Sequence, residues 1–268
     1  ASTKMRKEQQ ILNLLTAFSN HCFFRYTADG GLWGFPIGEN LPGEEINSSS
    51  AIWCKKLFHW PELPDQLDIS EFTEVDIKHI LEVDPFNYYF VNPNLDWYSK
   101  TTISFPAKMN NIFSAYYQSS GDIKTVIDTA IGYLVDSMEL RQKKKTISMI
   151  AALTALETMV NLEFKDFKPE TCVECSQPKY KISKKFRDFL VTYLGDGKHN
   201  KKKYNALYNT RSKIIHLGQK LKNEKLWHDL DEEEERDQLV TQLEAIQFSK
   251  VSIRNWLLRN QMGYQSFF

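Results

Sequence analysis

Gly121-Asp-Ile-Lys-Thr-Val-Ile-Asp-Thr-Ala-Ile-Gly-Tyr-Leu-Val-Asp-Ser-Met138 sets its apolar side chains at Ile123, Val126, Ile127, Ala130, Ile131, Leu134, Val135 and Met138. Steps of one, three and four residues gather them on one side of a helix with 3.6 residues per turn. Asp122 stands where an N-cap carboxylate would accept the free amide hydrogens of the first turn. A basic break, Arg141 to Lys145, leads into a second helix, with Ile147, Ile150, Ala151, Leu153, Thr154, Leu156, Val160 and Leu162 over most of its surface. A helix that is apolar nearly all round belongs in the centre of a domain. Glu157 lies inside that run, where a carboxylate is costly to bury without a partner.

Three further helices follow. One is expected over Ile182–Leu194, ending at Gly195-Asp-Gly197. The next runs from about Lys201 to His216, with Gly218 as terminator. The last follows the acidic run Asp229 to Glu235, which suits a helix N-terminus, and carries Leu239, Leu243, Ile246, Val251, Ile253, Trp256 and Leu257. The fold class is therefore mainly α: an antiparallel helical bundle over residues 121–268, preceded by a separate domain over 1–120.

That first part is irregular, aromatic-rich and only partly helical. A helix is expected over 4–20, with a turn at Asp29-Gly-Gly31 and short helices at Ala51–Phe58, Glu74–Glu82 and Ser104–Tyr117, the last with Pro106 in its first turn. Phe86-Asn-Tyr-Tyr-Phe-Val91 reads either as a strand or as a buried aromatic segment. Its aromatic wealth fits core packing better than a ligand platform. Gly30, Gly31 and Gly34 make no phosphate loop, because no Lys-Ser/Thr follows them.

The chain of 268 residues has no net charge, yet residues 179–225 carry 14 basic against 3 acidic side chains. Such a field draws polyanions, although lysines on solvated helix faces give the same count. No apolar run is long enough to span a membrane. The start, Ala-Ser-Thr-Lys-Met-Arg-Lys, has no apolar leader segment, and four cysteines make no disulfide scaffold, so a cytoplasmic location is expected.

Within the basic segment stands Tyr208-Asn-Thr-Arg-Ser-Lys-Ile-Ile-His216. Arg211 is a permanent cation able to grip a phosphate with two hydrogen bonds, and His216 has the side chain suited to proton transfer near neutrality. Five residues separate them, about 140° around a helix, so they flank one helix edge, with Ile214 and Ile215 expected on the core side. Arg-then-His at this spacing arises by accident in roughly a third of chains this size, so its setting decides its meaning.

The helical setting, Ala155-Leu-Glu157, Lys184-Lys-Phe-Arg-Asp-Phe-Leu190 and the 208–216 string together resemble the HEPN superfamily, most closely its Apea-like branch, over about residues 121–260. Many members are metal-independent endoribonucleases that work as dimers, with a composite cleft between two bundles, and some serve in phage defence or as toxins. The resemblance implies that Arg211 binds the scissile phosphate, that His216 is general base or acid, and that Ser212 fills the polar position after the arginine. Glu157 would orient Arg211 across the bundle or lie as a half-exposed helix-edge carboxylate. Lys213, Lys201, Lys202 and Lys203 would contact the RNA backbone. Two positions depart from the family pattern. Ser212 stands where active members often have Asn, Asp or His, and Leu217 intervenes before a glycine that commonly follows the histidine directly.

The resemblance thus implies a metal-free ribonuclease with no cofactor, an RNA substrate, a homodimer, and a regulatory partner met through residues 1–120. The alternatives are a non-catalytic HEPN module that binds nucleic acid or a protein partner, and a structural helical protein whose Arg211 and His216 are a surface pair. Cys172 and Cys175 offer half of a tetrahedral zinc site; loop cysteines give the same spacing.

Overall fold

The computed structural model describes residues 2–23, 77–93, 95–96, 99, 101–171, 178–179, 181–224 and 231–265. In chain order these form helix α1 (Ser2–Phe18), strand β1 (His79–Val83), a π-helical turn (Asn87–Val91), strand β2 (Thr102–Pro106), helices α2 (Met109–Gln118), α3 (Gly121–Glu139) and α4 (Lys145–Glu163), the two-residue strands β3 (Glu170–Thr171) and β4 (Pro178–Lys179), helices α5 (Ile182–Leu194) and α6 (Lys198–Leu217), a 3-10 turn (Lys222–Glu224), and helix α7 (Glu232–Gln265). The protein is mainly helical, as the periodicity requires.

The central helix is α4. It buries Met149, Ala151, Ala152, Leu153, Ala155, Leu156, Met159 and Val160, while an edge through Ile150, Thr154 and Glu157 is partly open and Ile147 near its start is exposed. Its three alanines let α3 and α7 approach closely, and α5 and α6 complete its surroundings. Residues 140–144 turn the chain from α3 back along α4. Buried polar groups fix the register of this packing. Gln242 donates to Arg141 O and Ser148 Oγ, both at 3.0 Å, and Ser249 Oγ donates to Ala152 O at 2.8 Å. Each partner left unmade in such a setting would cost about 1–3 kcal/mol.

The boundary expected after residue 120 does not divide this core. Leu14, Ala17 and Phe18 of α1, and Ile112, Ala115 and Tyr116 of α2, lie in one cluster with Ile127, Leu156 and Ile253. Apolar stripes on α1 and α2 find α3 and α7 as their nearest apolar faces, so these helices belong to the same packed body.

Three local expectations are corrected. The helix expected up to Glu82 is, over its described part, strand β1, parallel to β2 with His79 opposite Thr102 and Val83 opposite Pro106. The helix expected over Ser104–Tyr117 starts only at Met109: Pro106 ends β2, and Lys108 turns the chain with φ of 66°. The Phe86–Val91 segment is neither strand nor wholly buried. Its π-helical turn sends adjacent Tyr88 and Tyr89 inward, where Tyr89 Oη donates to Phe18 O at 2.6 Å and Tyr88 Oη to Ser104 O at 3.2 Å. The turn expected at residues 29–31 and the helix at 51–58 lie outside the described residues. No helix among the described residues is long and apolar enough to cross a membrane.

Candidate functional site

Helix α6 faces the core through Tyr204, Leu207, Tyr208 and Ile214, spaced by three, one and six residues. Arg211 falls on that same stripe, seven residues beyond Tyr204 and three before Ile214, so its side chain is carried inward over the bundle. Across from it lies the partly open edge of α4. There Arg211 Nη2 donates to Glu157 Oε2 at 2.6 Å, with side-chain exposures of 21% and 18%. Glu157 is Arg211's sole hydrogen-bond partner among the described residues, so the guanidinium keeps unused donors.

The carboxylate is not at ease there. Its second oxygen, Oε1, is buried without a hydrogen-bond partner. Burial pushes the Glu157 carboxyl above its ordinary pKa of 4.5, although the charge and hydrogen bond of Arg211 and the charge of His216 all pull it down. An ion pair at 2.6 Å usually depresses a carboxylate. Here desolvation exceeds the attraction.

His216 lies in the last turn of α6, exposed, within electrostatic range of Glu157. The charges of both Arg211 and His216 act on this carboxylate, but only Arg211 is bonded to it; His216 lies five residues on, about 140° around the helix. Between them Ser212 is half-buried and Lys213 exposed. Ile214 packs on the core as expected, but Ile215 does not: it is 44% exposed, because it follows the last core position by one residue and so turns about 100° away. Leu217 ends α6, exposed, and Gly218 closes the helix in the left-handed conformation with φ of 64°.

The three lysines of the first turns of α6 are not equivalent. Lys202 is exposed, and Lys201 is exposed with Asp196 4.0 Å away. Lys203, expected to meet a phosphate, instead gives its ammonium to Glu244 of α7, which faces it. At about 1.5 Å per residue, these lysines lie roughly 12–15 Å along the helix from Arg211. Cys172 and Cys175 fall outside the described residues.

Two buried cations escaped the sequence pattern. Lys250 and Arg254 both lie in the apolar stretch of α7, and each is almost fully buried. The available signal was the one that singled out Glu157, a charged residue in an apolar helical run.

The fold and this geometry define a mainly helical protein with an Arg–Glu pair and an exposed histidine on facing helices. No family model matches the chain, and comparison with curated proteins and with solved structures finds no significant match.

Proposed function

We propose that the helical bundle is a HEPN-type endoribonuclease in which Arg211 and His216 act on the RNA backbone. The observation that carries this reading is the Arg211–Glu157 pair, with donors of Arg211 left over for a phosphate and the exposed His216 within electrostatic range. In the reaction, the 2′-oxygen of one ribose bonds to phosphorus while the bond from phosphorus to the 5′-oxygen of the next nucleotide breaks. The 2′-hydroxyl proton must leave and the 5′-oxygen must gain one; His216 serves one of these transfers. Arg211 would stabilise the charge gathering on the phosphoryl oxygens, held in line by Glu157. Lys213 and Lys202, both exposed, suit backbone contacts on either side. A two-fold dimer that joins two such helices would place the second proton carrier, as the family resemblance implies, and a role in antiviral defence or as a toxin rests on that resemblance too.

The test is cleavage of single-stranded RNA in EDTA. Wild type should cut, and His216→Ala should cut about 100-fold more slowly or worse. Equal rates would remove the catalytic role of His216, and loss of all cleavage in EDTA would remove the metal-free mechanism. A second reading, a non-catalytic RNA-binding module, draws support from the engagement of Arg211 by Glu157. It is selected if RNA binds in a salt-sensitive manner and is never cut.

A further inference from the structure

A second feature of the bundle lies at the other end of α6. A cleft of about 630 Å³ opens between the turn after β1, the start of α6 and the middle of α7. That is the size of pockets that hold small molecules.

One wall is a row of aromatic rings, each tilted against or edge-on to the next. Phe86 and Phe90 lie 5.8 Å apart between centroids, Phe90 and Phe248 6.1 Å, and Phe248 and Tyr204 5.7 Å. The inner two are buried, but Phe90 is only partly covered and Phe86 is 67% exposed. The turn that carries the exposed rings is held in place: Asp84 Oδ1 accepts the backbone amides of Phe86 and Asn87 at 3.0 and 3.2 Å, and Tyr88 and Tyr89 anchor the turn in the core. Phenyl faces presented to a cleft are what a planar ring stacks on.

The cleft is also lined by Arg254, which is 7% exposed. Its Nη1 donates to the neighbouring Asn255 Oδ1 at 2.8 Å and its Nη2 reaches Ala107 O only at 3.4 Å, while its Nε is buried with no partner. Among the described residues no carboxylate lies within ion-pair distance of it. The two acids that line the cleft are committed elsewhere, Glu244 to Lys203 and Asp84 to the turn. Burial holds the guanidinium's pKa below its ordinary value, with Tyr89 and Asp84 only partly opposing. A buried guanidinium without a counter-ion is costly, and an anion is the group that would relieve it.

We propose that this cleft binds a small ligand with an anionic head, phosphate or carboxylate, on a planar aromatic or heteroaromatic body, the head meeting Arg254 and the ring lying on Phe86 and Phe90. The ribonuclease reading is not needed for this assignment. The site is distinct from Arg211 and shares only helix α6 with it.

Isothermal titration of the full chain with AMP, indole-3-acetate and inorganic phosphate tests the assignment. One of the two ring-bearing probes should bind one-to-one, and much more tightly than inorganic phosphate. AMP as the better binder assigns the head to phosphate, indole-3-acetate to carboxylate. Arg254→Gln should weaken that binding at least tenfold. Phe90→Ala, at a partly exposed ring whose loss leaves the fold intact, should weaken it several-fold with an unchanged melting temperature, and it decides the matter if Arg254→Gln does not fold. The proposal is overturned if neither ring-bearing probe binds, if inorganic phosphate binds as well as they do, if Phe90→Ala binds like wild type, or if Arg211→Ala abolishes binding and so moves it to the other site.

Discussion

Replacing Glu157 with Gln is the sharpest test of the Arg211 environment. The side chain keeps its shape, and its amide oxygen can still accept from Arg211 Nη2, but the charge is gone. If the pair were a net stabilising buried ion pair, removing one charge would strand the other and cost about 3–5 kcal/mol. At roughly 2–4 °C per kcal/mol for a domain of this size, the melting temperature would fall by about 10 °C. The direction of the Glu157 pKa says otherwise. It lies above 4.5 even with Arg211 and His216 nearby, so the folded protein favours the uncharged carboxyl more than the unfolded chain does. A carboxyl of that kind contributes stability below its unfolded pKa and loses it as pH rises through the folded value. Wherever Glu157 is ionised it is therefore a net burden on the fold, and the neutral amide removes it.

The expected result is a melting temperature at pH 7 equal to or above that of wild type. As pH falls and wild-type Glu157 takes up its own proton, the two melting temperatures should converge. Calorimetric melts across that range read both. A fall of more than about 4 °C at pH 7 would refute the reasoning, because attraction would then outweigh desolvation. The same variant should cut RNA about 10- to 100-fold more slowly, since the neutral amide holds Arg211 less firmly and small misplacements are expensive in rate. Gained stability with lost cleavage separates a positioning role from a structural one.

Two further outcomes are expected. Lys250 is fully buried with its ammonium on Ser19 O, and its pKa falls to about 7 from 10.5, so between those values only the unfolded chain holds the proton and wild-type stability from this group rises with pH. Lys250→Met should accordingly melt higher than wild type near pH 6 and lose that advantage near pH 10; an advantage that grew with pH in paired melts would contradict the burial. Gly218→Ala places a Cβ in open space but at φ of 64°, so it should cost about 1 kcal/mol through backbone strain alone, a melting-temperature drop of about 2–4 °C.

The helices that position the candidate site were legible because they repeat a period. Ile182–Leu194 has an apolar stripe and a glycine at its end, and the structure places α5 over those residues. Where the chain changes direction without such marks, the pattern misled. Lys108 adopts a left-handed conformation that glycine would have announced, so Pro106 looked like a helix start instead of a strand end. Strand β1 exposes all but Val83, which leaves no alternation to detect. Tyr88 and Tyr89 are buried side by side, which fits neither a period of 2 nor one of 3.6. Within the candidate site, Glu157 was visible as a charge out of place among apolar neighbours. Arg254 and Lys250 carried that same mark, but α7 is long and rich in charges, and only three-dimensional packing shows which of them turn inward.

A structural ion pair and a functional one place opposite demands on the carboxylate. For stability alone, both oxygens should be partnered and the proton affinity lowered. Glu157 has one oxygen on Arg211, the other buried and unpartnered, and a raised pKa. Nothing in the packing of α4 requires an acid there, since Ile150 and Thr154 occupy the same edge two turns and one turn earlier. An apolar or amide side chain would fold at least as well. What the acid supplies is a fixed direction for Arg211, whose remaining donors have no partner among the described residues, one turn and a half from an exposed histidine. A site that is worse for stability and better for orientation is what a phosphate-handling arginine requires.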